Sequence, residues 1–191
     1  MKLVLACTAV VLLSSALARP MRRRKSSMAQ IYRAANLPVP ERLLQLTIGE
    51  IEVTPGIEIA PEDAVDPPTI TCDIDPGCYY TFLALNSEYS LSSLSPALLA
   101  LYVNVNSRII ADSDAIATWL GPSPSPGSGL NNYALYLYKQ PGIIDTTNET
   151  LISYQIDRLR FPFEEFVATY DLSSPSGTYF VSRYPLPASE D

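Results

Sequence analysis

Seventeen prolines spread over 191 residues, against only eight glycines, constrain this chain more than any other feature. A proline inside a helix removes a backbone donor and clashes with the preceding turn. A chain punctuated this way must fold from short elements joined by ordered loops. Most of the intervals between prolines fit strands. Leu44, Leu46 and Ile48 alternate with Gln45 and Thr47, the period of a half-buried strand. Ile51 to Val53 and Ile57 to Ile59 read as further strands about a Pro55-Gly56 turn. Pro67-Pro68 opens a strand through Ile70 to Cys72, and Cys78 to Leu85 is predicted to return against it as a hairpin. Leu98 to Val105 is apolar on both faces, as a central strand would be, and its Tyr and Val residues favour a strand over a buried helix. Tyr133 to Gln140 places Tyr133, Leu135 and Leu137 on one face and Ala134, Tyr136 and Tyr138 on the other.

Two segments break the β pattern. Met28 to Ala35 can form a short helix that ends before Pro38 and Pro40. In Phe161 to Tyr170, Phe163, Phe166, Val167 and Tyr170 fall at i, i+3, i+4 and i+7, one face of a helix. Pro162 is tolerated in its first turn, and Glu164 and Glu165 sit where the helix dipole favours anions. Those two carboxylates diverge by about 100° around the helix axis, so they cannot form a catalytic dyad. Thr178 to Arg183 supplies a last strand after a Pro175-Ser-Gly177 turn, and Gly121 to Gly129 is a Pro/Ser/Gly loop. Many short strands with one or two short helices predict a mainly β, antiparallel sandwich.

With 47% apolar and 17% charged residues, the chain suits one globular domain. Leu3 to Leu17 is an apolar run after Lys2, closed by the small-x-small triplet Ala16-Leu17-Ala18, the pattern of a secretory signal over residues 1–18. A signal anchor with basic flanking residues is the other reading of the same run. No second stretch reaches spanning length. Residues 19–40 form a basic, proline-containing lead-in, residues 41–184 the domain and residues 185–191 a short tail. Arg22 to Lys25 is either a processing site for a basic-specific protease or a solvated tail. Downstream of Lys25 stand seven Lys/Arg against twenty Asp/Glu, a net charge of −13. Such a surface repels nucleic acid and anionic membranes.

The chain contains no histidine. That removes the commonest general base and the commonest metal ligand. No Ser-His pairing and no Gly-rich phosphate loop after a strand is present, so an enzyme is not expected, nor a cofactor or metal. Once the signal leaves with Cys7, Cys72 and Cys78 remain, flanking Asp75-Pro76-Gly77, a turn sequence. In an oxidising compartment they are expected to pair, with chain entropy contributing roughly 2.4 kcal/mol for so short a loop. Half a metal site is the weaker alternative. Asn148-Glu149-Thr150 is an N-glycosylation sequon.

Four segments resemble the phosphatidylethanolamine-binding proteins, which include Raf kinase inhibitor proteins and a yeast carboxypeptidase inhibitor. Tyr80 to Glu88 looks like the family's Y-T-L-V-M-x-D-P-D strand, and Leu98 to Asn104 sits where the family has H-H-W-L-V-x-N. Gly121-Pro122 through Tyr133, then Ala134 to Gln140, is similar to G-P-x-P-x-G-x-G-x-H-R-Y followed by a strand ending Y-x-Q. Phe163 through Gly177 to Phe180 resembles the closing helix, turn and strand. The resemblance implies a Greek-key-type β-sandwich with a small anion pocket. Carried over by position, the pocket's polar wall becomes Asn86, Leu99, Asn131 and Tyr133, with Ser87, Glu88, Leu98 and Asn132 as neighbours. Both imidazole donors are gone, and only Tyr133 is kept. Hydrogen bonds to a charged group contribute about 1.5–3 kcal/mol each, so phosphate affinity should fall by orders of magnitude.

The resemblance therefore implies a secreted, monomeric, non-enzymatic binding or regulatory protein with a degenerate anion pocket. Its expected partner is another protein or an apolar or neutral small ligand. Inhibition of a carboxypeptidase or serine protease, carriage of a lipid or other amphiphile, and a role in a secreted coat are the alternatives. The tail, Pro185 to Asp191, is too short and proline-broken to supply the terminal helix that covers the pocket in many family members.

Overall fold

The computed structural model describes residues 27–87 and 96–185. Helix α1 (Met28–Ala34) leads into the short strands β1 (Arg42–Leu43), β2 (Leu46–Ile48), β3 (Ile51–Glu52), β4 (Ile57–Glu58) and β5 (Thr69–Ile70). The long strands β6 (Tyr80–Asn86) and β7 (Ala97–Val105) follow, then β8 (Asp114–Ala117) and β9 (Leu130–Lys139). Helices α2 (Glu149–Ser153) and α3 (Phe163–Thr169) precede the last strand, β10 (Ser173–Arg183). The expected signal segment, the basic residues 19–25, Glu88 and nearly all of the tail lie outside the described residues.

One seven-stranded sheet, in the order β1-β10-β9-β6-β7-β8 with β4 also on β10, organises the chain. Its central pairings are antiparallel, as expected, but β1 and β4 run parallel to β10 along its free edge. A three-stranded sheet, β3-β2-β5, faces it. The large sheet is dry on both sides. On one face Ala134, Tyr136 and Tyr138 pack with Tyr32 of α1, Leu151 of α2, and Phe163 and Phe166 of α3. On the other, Tyr133, Leu135 and Leu137 pack with Leu46 and Ile48 of β2 and Ile70 of β5. The two faces of β9 read from the sequence are these two cores. Helix α3 buries Phe163 and Phe166, with Val167 and Tyr170 packed against the same core, which is the face its spacing marks out.

The expected hairpin between residues 70–72 and 78–85 does not form. Ile70 pairs with Leu46 in the small sheet, while β6 pairs with β7 and β9 in the large one. Apolar Ile70 is drawn into the core between the sheets, so residues 71–79 cross from one sheet to the other. Helix α2 and strand β8 were not anticipated. The signal for α2 was present as Asn148, whose side chain caps it by accepting the Leu151 N–H.

Polar side chains tie these layers together at a few points. The Tyr32 hydroxyl lies 2.5 Å from the Thr178 carbonyl and 3.3 Å from that of Leu135, fixing α1 over the β9–β10 pair. Gly177 sits where a Cβ would meet the Pro40 ring and the Leu135 carbonyl, so only glycine lets the lead-in to β1 lie flat on β10. Asn104 adopts φ 56° in β7, the left-handed conformation that asparagine tolerates. Its Oδ1 accepts from Gln140 Nε2 (2.9 Å) and the Ile144 N–H (2.8 Å), while its Nδ2 donates to Asp114 (2.7 Å) and the Ile144 carbonyl (3.0 Å). Gln140 Oε1 in turn accepts from the Asn104 N–H and the Thr81 hydroxyl. This closed amide network pins loop 141–145 to the sheet.

Replacing Tyr32 by Phe should lower unfolding free energy by about 1–2 kcal/mol, because a buried carbonyl loses its donor. An unchanged denaturant midpoint would show that the hydroxyl holds nothing. Asn104→Gly keeps the backbone conformation but removes the amide, and should cost about 2 kcal/mol or more. Asn104→Ala should be worse by about 1 kcal/mol, since alanine also disfavours positive φ. Equal losses in the two variants would contradict this division.

Candidate functional site

Strand register decides which side chains can meet. Asn86 at the end of β6 stands opposite Tyr133 of β9 on one side and Ala97 of β7 on the other. Asn131 lies two residues before Tyr133 and so shares its face. Across the other edge of β9, Phe180 is opposite Tyr133 and Ser182 is opposite Asn131. The pairing of β6 with β7 shifts register between Ala84 and Leu85, so Leu99 and Ala100 both pack into the core that holds Tyr133. The structure therefore brings Asn86, Leu99, Asn131 and Tyr133 to one end of one sheet face. Glu88 cannot be placed with them, since it lies outside the described residues.

These residues make a wall of neutral chemistry. Tyr133 is 1% exposed, and its ring stacks on Phe180 at 5.0 Å between centroids and 14° between planes. Leu99 is buried in the same core. The Asn131 amide donates to Ser128 Oγ (2.8 Å) and to the Gly129 carbonyl (3.3 Å), holding the end of the Pro/Ser/Gly loop against β9. Ser87 donates from both its N–H and its hydroxyl to the Asn132 carbonyl, which fastens the end of β6 to β9. Ser182, fully buried, adds a hydroxyl that has no hydrogen-bond partner among the described residues. Sequence reasoning missed Ser182, although alternation from Phe180 along the last strand places it on this face.

The site's surroundings were also not read from the sequence. Trp119 is buried in the same core, donates from Nε1 to the Ala64 carbonyl (3.0 Å) and from its backbone N–H to the Tyr102 hydroxyl oxygen (3.1 Å). It thereby holds the segment around Ala64 against the sheet. Arg158 approaches from the other side, but its Nη1 donates to the main-chain carbonyls of Leu99 (3.0 Å) and Thr118 (2.7 Å). Partial burial lowers its pKa. Its donors are engaged by protein oxygens, chiefly main-chain carbonyls.

The motif residues that survive are structural. Asn104 and Gln140, each at a position where the resemblance matched, belong to the amide network that pins loop 141–145. The strongest proton-affinity shifts also belong to the core: burial pushes the hydroxyls of Tyr32, Tyr136 and Tyr138 far up. Among the described residues no group of three His, Cys, Asp or Glu could hold a metal ion, and no helix is long and apolar enough to cross a membrane.

Cys72 and Cys78 are half-buried free thiols in the structure. Because their flanking strands belong to different sheets, no ladder holds them face to face, contrary to the hairpin expectation. The loop between them is fastened from outside. Lys139 pairs with Asp75 at 3.2 Å and holds its carboxyl below the usual range, and Arg108 pairs with Asp73 at 2.7 Å. Asn148 is exposed, and its cap uses the side-chain oxygen.

No protein-family model matches the chain. A 26 kDa secreted antigen of Toxocara canis is 21% identical over 150 residues, 75% of this chain and 57% of that protein. The chain thus spans little more than half the length of that relative. A putative odorant-binding protein A5 of Drosophila melanogaster is 26% identical over 153 residues, 76% of this chain and 72% of that protein. Carboxypeptidase Y inhibitor, solved in complex with its cognate proteinase, superposes with a TM-score of 0.64 at 14% identity, covering 82% of this chain and 92% of the inhibitor. A phosphatidylethanolamine-binding protein from Plasmodium falciparum superposes with a TM-score of 0.57 at 12% identity, covering 83% of this chain and 97% of that one. The sheet, its register and these neighbours agree with the sequence motifs: this chain has the fold of the phosphatidylethanolamine-binding proteins.

Proposed function

We propose that this is a secreted, non-enzymatic binding protein whose site takes a neutral, hydrogen-bonding ligand with an apolar part in place of a phosphate headgroup. The observation that carries the reading is the composition of the wall. Asn86, Asn131, Tyr133 and Ser182 bring neutral amides and hydroxyls to this end of the sheet, Leu99 brings an apolar side chain, and Arg158 donates to carbonyls. A phosphate brought here would lose its hydration without gaining a cationic donor, which is unfavourable for any buried charge. An alcohol or amide group attached to a hydrocarbon would find the buried Ser182 hydroxyl for its polar end and Leu99 for its apolar end.

Export is supported by the apolar run over residues 1–18 and by the relative described as a secreted antigen. A carrier role for an amphiphile is favoured by the relative described as a putative odorant-binding protein. Protease inhibition is the second reading, supported by the fold shared with carboxypeptidase Y inhibitor. In a secreted chain the two thiols would be oxidised to a Cys72–Cys78 disulfide, and Asn148 would be open to glycosylation.

Calorimetric titration with phosphoethanolamine tests the site. The wild-type protein should give no saturable heat, and the double variant Leu99→His, Asn131→His should gain affinity by about tenfold or more per donor restored. Tight phosphoethanolamine binding by the wild type would overturn the reading. Peptide mapping of protein from a secreting host should find Cys72 and Cys78 joined under non-reducing conditions. Two free thiols there would remove the disulfide from the account.

A further inference from the structure

Three exposed segments that adjoin the ligand wall through Trp119 and Arg158 meet to form a surface rich in carboxylates. The Ala64 carbonyl accepts from Trp119 Nε1 and lies against Gly121, where a Cβ would stand 2.7 Å from it and 3.7 Å from Val65 Cα. The Leu120 N–H and the Arg158 guanidinium both donate to the Leu99 carbonyl, and Arg158 also reaches Thr118. Segments 64–66, 118–121 and 156–159 are therefore neighbours. They leave large apolar side chains in solvent: Ile156 is 91% exposed and Val65 67%, with Leu120 and Leu159 about half exposed. Other exposed large apolar side chains, such as Leu43, Ile109 and Ile143, lie on separate segments, whereas these four lie on three neighbouring ones, and such a grouping calls for a partner.

The charge around them is acidic. Glu62, Asp63 and Asp66 flank Val65, and Asp157 follows Ile156. Arg160, just past Leu159, is the exposed cation beside these segments, since Arg158 is half-buried and bonded to carbonyls. The same acidic segment lines a cavity of about 370 Å³ beside β4 and the end of β10. There Glu58 is held by Arg183 in a two-point ion pair (2.5 and 2.8 Å), while Glu62 and Asp63 have no ion-pair partner among the described residues. The cavity's acidic residues run directly in the chain into Val65, and carboxylates at that edge disfavour anionic partners by like-charge repulsion.

We propose that this surface, built from segments 58–66, 118–121 and 156–159, docks a protein segment that carries Lys or Arg beside apolar side chains. The cation enters the cavity at Glu62 and Asp63, and the apolar side chains lie over Val65, Leu120, Ile156 and Leu159. A second copy of this chain is disfavoured as the occupant, because it would bring the same carboxylates face to face. The surface adjoins the ligand wall through Trp119, Arg158 and the Leu99 carbonyl, but Glu62, Asp63, Val65 and Ile156, the side chains substituted below, are not part of that wall, so its failure and the failure of the ligand reading are separate results.

Fluorescence anisotropy of the full chain with a labelled amphipathic Leu/Lys peptide, and with its Leu/Glu counterpart, tests this. The Leu/Lys peptide should bind and the Leu/Glu peptide should not. Val65→Ser with Ile156→Ser should weaken binding about tenfold or more. Glu62→Gln with Asp63→Asn should weaken it about fivefold, as expected for two exposed charge pairs. The pair Glu164→Gln, Glu165→Gln on α3 removes the same net charge at a different place and should leave binding unchanged. Equal weakening by both charge pairs would mean attraction to overall charge and would overturn the proposal. So would sedimentation showing a wild-type dimer that Val65→Ser, Ile156→Ser converts to monomer.

Discussion

The constraint on which the rest of this molecule depends is that one sheet is dry on both faces. Strand β9 carries alternate side chains into two separate cores, one roofed by helices and one by the small sheet. Such a strand cannot slip by a residue without exchanging Tyr133, Leu135 and Leu137 for Ala134, Tyr136 and Tyr138, a change felt in both cores at once. Register is thereby fixed, and with it the meeting of Asn86, Asn131, Tyr133 and Ser182 at one end of the sheet. The site is a consequence of the core.

The same constraint explains what could be read from the sequence. Strands β7 and β9 were legible because continuous apolar runs report burial on both faces, and α3 because its four apolar residues share one face. Met28 to Ala35 was legible through the prolines that end it. What failed was local pairing. Cys72 and Cys78 flank a turn and look like a hairpin, but the partner of Ile70 is set by Leu46, twenty-four residues away in sequence and in another sheet. Strand β8 is too short, and too polar at its start, to announce itself, and its pairing with β7 supplies what its sequence lacks. The parallel pairings of β1 and β4 along β10 are likewise long-range choices that no two-residue strand can encode.

The candidate site was legible at four positions and not at the others. Motif order placed Asn86, Leu99, Asn131 and Tyr133, and register places them together. Ser182 and Trp119 belong to no matched motif, so only alternation along β10 and packing in the core identify them. The retained motif residues divide by role. Asn104 and Gln140 hold an amide network whose every partner is inside the protein, so the fold still needs them. Leu99 and Asn131, which stand where the resemblance implies imidazoles facing an anion, cannot carry positive charge. We propose that fold and ligand chemistry separate along this line.

That separation is tested most directly by following backbone amide signals of the wild-type protein in a nuclear magnetic resonance titration. Two probes should be compared: phosphoethanolamine and a short-chain monoacylglycerol, which is neutral and hydroxyl-headed. The account predicts saturable shifts at Asn86, Asn131, Tyr133 and Ser182 with the monoacylglycerol and none there with phosphoethanolamine. Saturable shifts at those same residues with phosphoethanolamine, and silence with the neutral probe, would contradict it.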